Sequence, residues 1–409
     1  MNQKKIAIVG GGPGGLTLAR LLQMKGMHVT VYERDLNRDV RVQGGALDLH
    51  TESGLAALDK AGLMDEFKRH YRPGAERVRV TDNQATIFYD EHIDPRESDF
   101  GYKSHRPEID RGPLRDILLN SLMPDTVVWN SHIVSLEPIG DQWKLVFKNG
   151  NKVTADMVIG ADGANSKIRP FVTDIKPQWS GVTMLEASIK DAAKTSPVIH
   201  QLLKGGKIMA FGNEKSIFVS SKEDGSFGFA CSFKTAEHWT TSSGLDFNNP
   251  QQILAWFKKE YADWSPVWWE LFADEKTTFI PRPQYCMPLD QHWVAKTNIT
   301  IIGDAAHWMP PFAGEGVNMA MLDALQLSET LSDETMPDTR GAIARYEKKM
   351  FKRFAKEGGG TLYNTQWMHA PDSLQSMLNM FSRNKFKQLK FMASYWFKLK
   401  FGRMELPVI

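Results

Sequence analysis

The sequence predicts an α/β fold, in which a parallel sheet flanked by helices carries an inserted antiparallel sheet and is followed by C-terminal helices. Three short apolar runs predict buried strands, at 6–9, 157–159 and 299–302, and each run leads into a glycine-containing turn. Between the second and third runs, residues 217–219 and 227–233 carry the alternating pattern of antiparallel strands. We therefore expect two lobes, with the glycine turns gathered at one edge of the parallel sheet.

The composition is that of a globular chain and limits its partners. The 409 residues, 42% hydrophobic and 24% charged, suffice for two domains or for one large domain with an inserted lobe. A net charge of +2 gives no general basic field, so nucleic acid is not expected as a partner. The first apolar run continues into a glycine turn, which favours a strand over a signal peptide. Cys231 and Cys286 form no CxxC pair, so we expect no disulfide or metal site and a cytoplasmic location.

Residues 6–33 predict a Rossmann-like βαβ unit that binds a dinucleotide. Its first turn contains a GxGxxG motif formed by Gly10, Gly12 and Gly15. Gly10 permits the tight turn, Gly12 leaves room for a pyrophosphate, and Gly15 lets the following helix approach the sheet. Glu33 ends the second strand, where a carboxylate can accept a hydrogen bond from an adenosine ribose. This motif does not separate FAD from NAD.

The third strand leads into the most informative segment, residues 303–318. Asp304 stands at the end of the strand, and a glycine-rich turn then leads into a helical pattern that continues to Leu331. This arrangement suits a cofactor with polyol hydroxyls at one end and an electron-accepting ring at the other. The segment therefore favours a flavin.

The second strand ends in Gly160-Ala161-Asp162-Gly163 and turns into a short helix that contains Ser166 and Arg169. Two interpretations of Asp162 remain equally open. Its carboxylate either acts near the pyrophosphate of the cofactor or caps the turn that follows.

Taken together, the three segments resemble the single-component FAD-dependent aromatic hydroxylases of the para-hydroxybenzoate hydroxylase class. That family has GxGxxG, DG and GD motifs in this order, and here they are Gly10–Gly15, Asp162-Gly163 and Gly303-Asp304. Segments 41–50, 106–115 and 309–314 are similar to the tetracycline-inactivating branch of the class. The resemblance extends to about residue 365.

The resemblance implies specific roles toward FAD. Asp304 would bond the ribityl chain, and Pro311 and Gly314 would lie beside the ring. The helix that begins near Gly316 would direct its positive end at the N1–C2=O edge, where reduced flavin is negative. The further cofactor contacts on this reading are Glu33, Arg34, Arg41, Asp48, Arg111, Asp162, Val317 and Asn318.

Four arginines among these segments have different expected roles. Arg34 is expected to stack on adenine, and Arg41 matches a position near the nicotinamide cofactor or the polar side of the flavin. A cofactor role is favoured for Arg111. For Arg115 a cofactor contact and an ordinary ion pair on a helix face are equally open.

The implied chemistry is carried by the cofactor, and no Ser/His/Asp triad or HExxH motif is evident. NADPH or NADH would reduce FAD transiently, and O2 would then form a flavin C4a-hydroperoxide that hydroxylates the substrate. His307 is expected to hold its loop rather than to act as a base. Glu315 replaces a glutamine more usual in the family, and a carboxylate there should repel the reduced flavin unless it points away or is protonated.

The region from 173 to 285 is expected to form a sheet over the flavin and to bind the substrate. Three polar positions differ from the tetracycline-inactivating branch: Lys207 replaces arginine, Gly228 replaces histidine and Glu186 replaces glutamine. We therefore expect an aromatic or polycyclic phenol-like substrate, with a tetracycline-type molecule or another antibiotic among the candidates. The predicted substrate contacts are Glu186, Lys207, Met209, Phe218, Phe229 and Phe312.

Composition and resemblance together suggest three divisions of the chain. The expected divisions are an FAD-binding domain at 1–70, 98–172 and 286–365, a substrate domain at 71–97 and 173–285, and a helical segment at 366–409. The last segment is rich in Met, Phe and Lys, which favours amphipathic helices that brace the domains over a membrane-contacting lid. A monomer is expected.

Two alternatives to a monooxygenase remain open. A flavin reductase or halogenase could share this fold, although the WxWxIP segment of halogenases is missing. A non-catalytic flavin- or drug-binding protein would retain FAD without substrate-stimulated NAD(P)H oxidation.

Overall fold

The computed structural model describes residues 4–40, 45–93, 100 and 105–382. Arg41 and the tail from residue 383 onward lie outside these described residues, so the expectations placed on them stay predictions.

Strands and helices follow one another as expected for an α/β protein with an inserted sheet. The first strands are β1 (Ile6–Val9), β2 (Val29–Tyr32), β3 (Leu47–Asp48), β4 (Val78–Asp82), β5 (Ile87–Asp90), β6 (Glu108–Ile109), β7 (Val127–Val128) and β8 (Ile133–Ile139). Then come β9 (Gln142–Phe147), β10 (Lys152–Ala155), β11 (Met157–Gly160), β12 (Gln178–Ile189), β13 (Lys207–Gly212), β14 (Lys215–Ser221), β15 (Phe227–Lys234), β16 (Ile280–Cys286) and β17 (Ile299–Ile301).

Helices pack on the parallel sheet, together with the separate three-stranded sheet β10-β9-β8, and on the outer side of the second sheet. In chain order they are α1 (Pro13–Met24), α2 (Gly54–Lys60), α3 (Met64–His70), α4 (Arg111–Asn120), α5 (Ala192–Thr195) and α6 (Pro197–Leu203). The remaining ones are α7 (Trp239–Ser242), α8 (Pro250–Glu260), α9 (Asp304–His307), α10 (Gly316–Leu331), α11 (Thr339–Met368) and α12 (Ser373–Met380).

A parallel sheet with the strand order β17-β11-β1-β2-β7 forms the centre of the first lobe. β1 is buried along its whole length, as expected of a central strand that is covered on both faces. The carboxyl ends of β1, β11 and β17 are neighbours, so the three glycine-containing turns meet at one edge of the sheet. The predicted α/β fold class is confirmed, and β1 has the predicted bounds.

The second sheet has the strand order β16-β12-β15-β14-β13-β4-β5. Its pairings are antiparallel except that β4 and β13 run parallel, which the sequence did not predict. These two strands come from separate passes of the chain, so no hairpin sets their relative direction. One face of the sheet packs on α8 and the aromatic core that includes Trp268 and Phe272.

Helix α11 continues without interruption through Gly358-Gly359-Gly360. A side chain at Gly358 would lie 2.7 Å from the ring of Phe354 and 2.9 Å from Leu289, so the glycine permits close packing. Within the described ranges, no helix combines the length and the apolar character needed to cross a lipid bilayer.

Candidate active site

A cavity of about 2580 Å³ lies between the carboxyl edge of the parallel sheet and the inner face of the second sheet. Most of the predicted site residues line this cavity. The cofactor set contributes Gly10, Gly12, Gly15, Glu33, Arg34, Asp48, Arg111, Asp162, Asp304, Pro311, Gly314, Gly316 and Val317. The substrate set contributes Glu186, Lys207, Met209, Phe218, Phe229 and Phe312.

The first turn has the geometry that its three glycines require. Gly10 has a φ of +109°, and a Cβ on Gly15 would collide with the carbonyl oxygen of Gly10. Gly12 instead has an ordinary φ of −78°, and no atom lies within 4 Å of the place its Cβ would take. The space beside Gly12 is thus left open by the protein, next to the N-terminus of α1.

Glu33 is buried and fixes the same turn. Its Oε2 accepts from the backbone N–H of Gly11 at 2.5 Å, and its Oε1 accepts from the N–H of Asp35 at 3.0 Å. The carboxylate therefore shapes the glycine turn in addition to any contact with a ribose, a role that the sequence did not suggest.

Asp162 caps the turn that follows β11. Its carboxylate accepts from Ser166 Oγ at 2.6 Å and from the N–H of Lys167 at 2.7 Å. Burial raises the pKa of this carboxyl, and the hydrogen bonds oppose the rise. The capping interpretation thus has direct structural support, while a cofactor contact stays a prediction.

Arg169 joins the second and third turns, a role that sequence reasoning did not predict. Its guanidinium donates to the carbonyl oxygens of Ala305, Ala164 and Asp304 at 2.6, 2.9 and 2.8 Å. A buried arginine with three carbonyl acceptors holds both turns at a fixed distance from each other.

Asp304 lines the cavity, and its carboxylate is available to accept hydrogen bonds from a ligand. Among the described residues, none donates a hydrogen bond to its carboxylate. Burial raises its pKa, and the charges of His307, Arg111 and Arg169 oppose the rise. Because a buried carboxylate needs donors, its setting fits a ligand that brings hydroxyl groups.

A buried ionic network holds the loop that carries Asp304. Asp323 accepts from the N–H of Gly303 at 2.9 Å and from His307 Nε2 at 2.6 Å, and Arg353 donates to its other oxygen. His307 is fully buried and does not line the cavity. Its geometry therefore suits the predicted structural role.

The turn at 311–316 is held from two sides. From α11, Thr361 Oγ1 donates to the carbonyl of Pro310 at 2.7 Å and Asn364 Nδ2 donates to that of Phe312 at 3.0 Å. From α10, Asn318 Nδ2 donates to the carbonyls of Asp48 and Gly314 at 2.9 and 3.2 Å. The side chain of Asn318 thus ties backbone segments together and does not line the cavity.

The arginines of α4 differ in their surroundings. Arg115 donates to Asp35 Oδ2 at 3.1 Å and to the carbonyl of Arg38 at 2.6 Å, and it lies over the ring of Trp129. These contacts support the ion-pair interpretation of Arg115. Arg111, at the first position of α4, is close enough for its charge to act on Asp304.

Glu108 and His50 are site residues that sequence reasoning missed. Glu108 lies directly across from Asp48 in the β3–β6 pair, and its carboxylate forms an ion pair with Lys207 from the second sheet. Burial raises the pKa of Glu108 to about 7, and Lys207 opposes the rise. No local motif could have shown this pair, because its members are 99 positions apart.

Removing Lys207 should destabilise the protein in a pH-dependent way. In Lys207→Met the pKa of Glu108 should rise further, because burial then acts without an opposing cation. Below pH about 5, Glu108 is largely protonated in the folded state of both the wild type and the variant, so the pH-dependent part of the loss should be small. Above pH 7 the gap from the wild type should grow by up to about 1.4 kcal/mol per pH unit.

Urea unfolding of Lys207→Met at pH values of about 5, 7 and 8.5 measures this gap. The double variant Glu108→Gln/Lys207→Met is the control, because it has no carboxyl to protonate and should show a nearly constant loss. An equal loss for the single variant at all three pH values would contradict the expectation.

The wall on the second sheet is a row of side chains that share one face. Met209 lies opposite Phe218, Phe218 opposite Ala230, and Ala230 opposite Glu186. Phe312 comes from the turn at 311–316, with its ring centroid 6.2 Å from that of Phe218.

Two of the predicted substrate contacts have other partners. The carboxylate of Glu186 is 3.2 Å from Arg282 Nε on the neighbouring strand. Phe229 belongs to the other face of the sheet, because side chains alternate along a strand. Its ring packs on Phe272 and Phe279 at 5.7 and 6.2 Å, so Phe229 lies along the cavity but also belongs to the core on the other side of the sheet.

The residues present fit FAD. The open spaces beside Gly12 and Gly316 suit a pyrophosphate and a ring at two helix N-termini. Asp304 lines the same cavity, with its carboxylate available for ribityl hydroxyls. The open spaces at the helix N-termini and the available carboxylate are independent features, and both fit one extended cofactor.

Comparisons with known proteins agree with this geometry. The FAD binding domain family matches residues 3–205 and 290–351 of the chain. The curated monooxygenase asqM of Emericella nidulans is 28% identical, over 85% of this chain and 92% of that protein.

Solved structures show the same fold. Klebsiella pneumoniae HpxO, in complex with FAD and uric acid, has a TM-score of 0.72 at 18% identity, covering 97% of this chain and 92% of that one. The tetracycline destructase Tet(55) has a TM-score of 0.71 at 20% identity, covering 100% and 99%. The family match spans more than half of the chain. The protein therefore belongs to the FAD-binding domain family and is an FAD-dependent monooxygenase.

Proposed function

We propose that the protein uses NADPH or NADH and O2 to hydroxylate an aromatic or polycyclic phenol-like molecule bound between the turn at 311–316 and the second sheet. The observation that carries the proposal is the continuity of the cavity. One wall is made by the glycine turns and Asp304, and the other by the apolar row of Met209 and Phe218 with Phe312. A flat apolar ligand placed there would lie directly against a ring held by the turn.

The chain contributes binding, orientation and the exclusion of water. When bound, FAD supplies the redox chemistry that activates oxygen. Asp304 and the N–H groups at the starts of α1 and α10 would hold it along the edge of the parallel sheet. Met209, Phe218 and Phe312 would bury the face of the substrate, and Lys207 would donate to its hydroxyl or stabilise its phenolate.

A panel of phenols, quinones and tetracyclines tests this function. The purified protein with FAD is mixed with NADPH or NADH, nicotinamide oxidation is followed by absorbance, and products are weighed by mass spectrometry. We expect at least one compound to accelerate the oxidation and to gain one oxygen atom. Bound FAD without any stimulation would favour a non-catalytic flavin-binding protein, and oxidation without oxygen transfer would favour a flavin reductase.

Narrowing the cavity should separate substrate binding from cofactor binding. Phe218→Trp places a larger ring in the substrate wall, and we expect substrate-stimulated oxidation to fall about tenfold or more while the FAD content stays unchanged. Phe88→Trp is a matched control, because Phe88 is exposed on β5. Equal losses in the two variants would contradict the assignment of this wall.

A further inference from the structure

His50 lies between two carboxylates, Asp48 and Glu315, that line the cavity. Its Nε2 is 3.0 Å from Asp48 Oδ2, and its Nδ1 is 3.2 Å from Glu315 Oε1. The three side chains are 13%, 22% and 18% exposed, in the order His50, Asp48 and Glu315. This arrangement is separate from the three sequence motifs.

The geometry defines the charge of His50. An ionised carboxylate only accepts hydrogen bonds, and a neutral imidazole has a single N–H to donate. With a carboxylate at each ring nitrogen, only the imidazolium can satisfy both contacts. Burial opposes this charge, but the two carboxylates outweigh it and raise the pKa of His50 to about 9.

Other charges near this group are already matched with partners. Arg106 lies 3.8 Å from the same oxygen of Asp48. Lys207 acts on Asp48 through its charge and forms the ion pair with Glu108. His50 is therefore the cation in direct contact with Glu315 among the residues that the structure describes.

Glu315 lies at the N-terminus of α10, where its charge affects the electrostatics of the cavity. It immediately precedes α10, and together with Gly314 and Gly316 it lines the cavity. The 16-residue helix α10 directs its positive end toward this place. An uncompensated carboxylate here would cancel that positive end, where a reduced flavin ring carries negative charge.

We propose that His50 neutralises Glu315 and so keeps the ring end of the cavity favourable for reduced FAD. This inference rests on the placement of the ring beside the turn at 311–316, which belongs to the proposed function. His50 acts through Glu315 and is a positioning and charge-balancing residue. It also explains how the chain accommodates a glutamate at this turn.

The backbone holds His50 in place for this role. Asn318 Oδ1 accepts from the N–H of His50 at 2.8 Å, so the segment after β3 is tied to the first turn of α10. The imidazole and Glu315 therefore belong to one connected unit.

The reduction potential of bound FAD tests the proposal in His50→Gln, Glu315→Gln and the double variant. We expect His50→Gln to lower the potential, equivalent to about a tenfold or greater loss of affinity for reduced relative to oxidised FAD. Glu315→Gln should not lower it, and the double variant should return close to the wild type. His70→Gln is the matched control, because His70 contacts Glu66 on the surface at 3.5 Å.

Three outcomes would overturn the inference: an unchanged potential in His50→Gln, a double variant as low as His50→Gln, or a lowered potential in Glu315→Gln. The pH dependence of the reduction potential provides a second measurement. As the pH rises past about 9, His50 loses its proton, and the wild-type potential should show an extra decrease. The double variant should lack this step. If the wild type hydroxylates a substrate but the reduction potential is the same in His50→Gln, the proposed role of His50 is refuted. The proposed function is not affected by that result.

Discussion

Asp323→Ala should lower the free energy of unfolding by about 3–5 kcal/mol, the usual cost of removing one partner from a buried ion pair. The substitution leaves Arg353 and His307 without their shared acceptor, and both are largely or fully buried. It also removes the acceptor of the Gly303 N–H. Because Gly303 precedes Asp304, bound FAD should be lost more readily as well.

Urea unfolding followed by tryptophan fluorescence measures the stability, and the yellow absorbance of the purified variant measures FAD content. Asp116→Ala is the control, because its ion pair with Arg38 is 59% and 44% exposed and should contribute less than about 1 kcal/mol. A loss in Asp323→Ala no larger than in this control would show that the network does not hold the loop.

Gly12→Val should abolish FAD retention while leaving the fold intact. The φ of Gly12 is ordinary, and no protein atom lies within 4 Å of its missing Cβ, so the protein itself can accommodate a side chain. The isopropyl group would instead fill the space expected for the pyrophosphate. We expect a loss of affinity of at least about a hundredfold, near 3 kcal/mol.

Titration of the FAD-free protein with FAD measures the affinity, and circular dichroism with thermal unfolding confirms the fold. Met24→Val inserts a β-branched residue at the exposed end of the same helix and should keep its affinity. FAD binding to Gly12→Val with wild-type affinity would refute the placement of the pyrophosphate.

The parts of the fold that sequence reasoning recovered are those encoded over short distances. Strand β1 and the turn after it are specified by four apolar residues and the three glycines of the GxGxxG motif, all within ten positions. The same local reasoning located the strands that precede Asp162 and Asp304, since in each case an apolar run stops at a polar turn.

The parts that it missed depend on contacts between distant segments. His50 and Glu315 are 265 positions apart, and Glu108 meets Lys207 only because β6 and β13 face the same cavity. The sequence showed that a carboxylate at Glu315 should repel reduced flavin, but its contact with His50 is visible only in the tertiary structure. Likewise, the packing of Phe229 on Phe272 and Phe279 could not be foreseen, because residue type alone does not say which face of a strand a side chain occupies.

Helix α11 sets the distance between the two walls of the cavity. Thr361 and Asn364 bind the turn beside the expected ring, and eight positions after Thr361 the imidazole of His369 accepts from Ser232 on the opposite sheet at 2.8 Å. Eight residues of α-helix span about 12 Å, and a helix resists stretching. The gap between the two walls is therefore fixed by a length of polypeptide, and a redesign for larger substrates has to shorten side chains such as Met209 and Phe218.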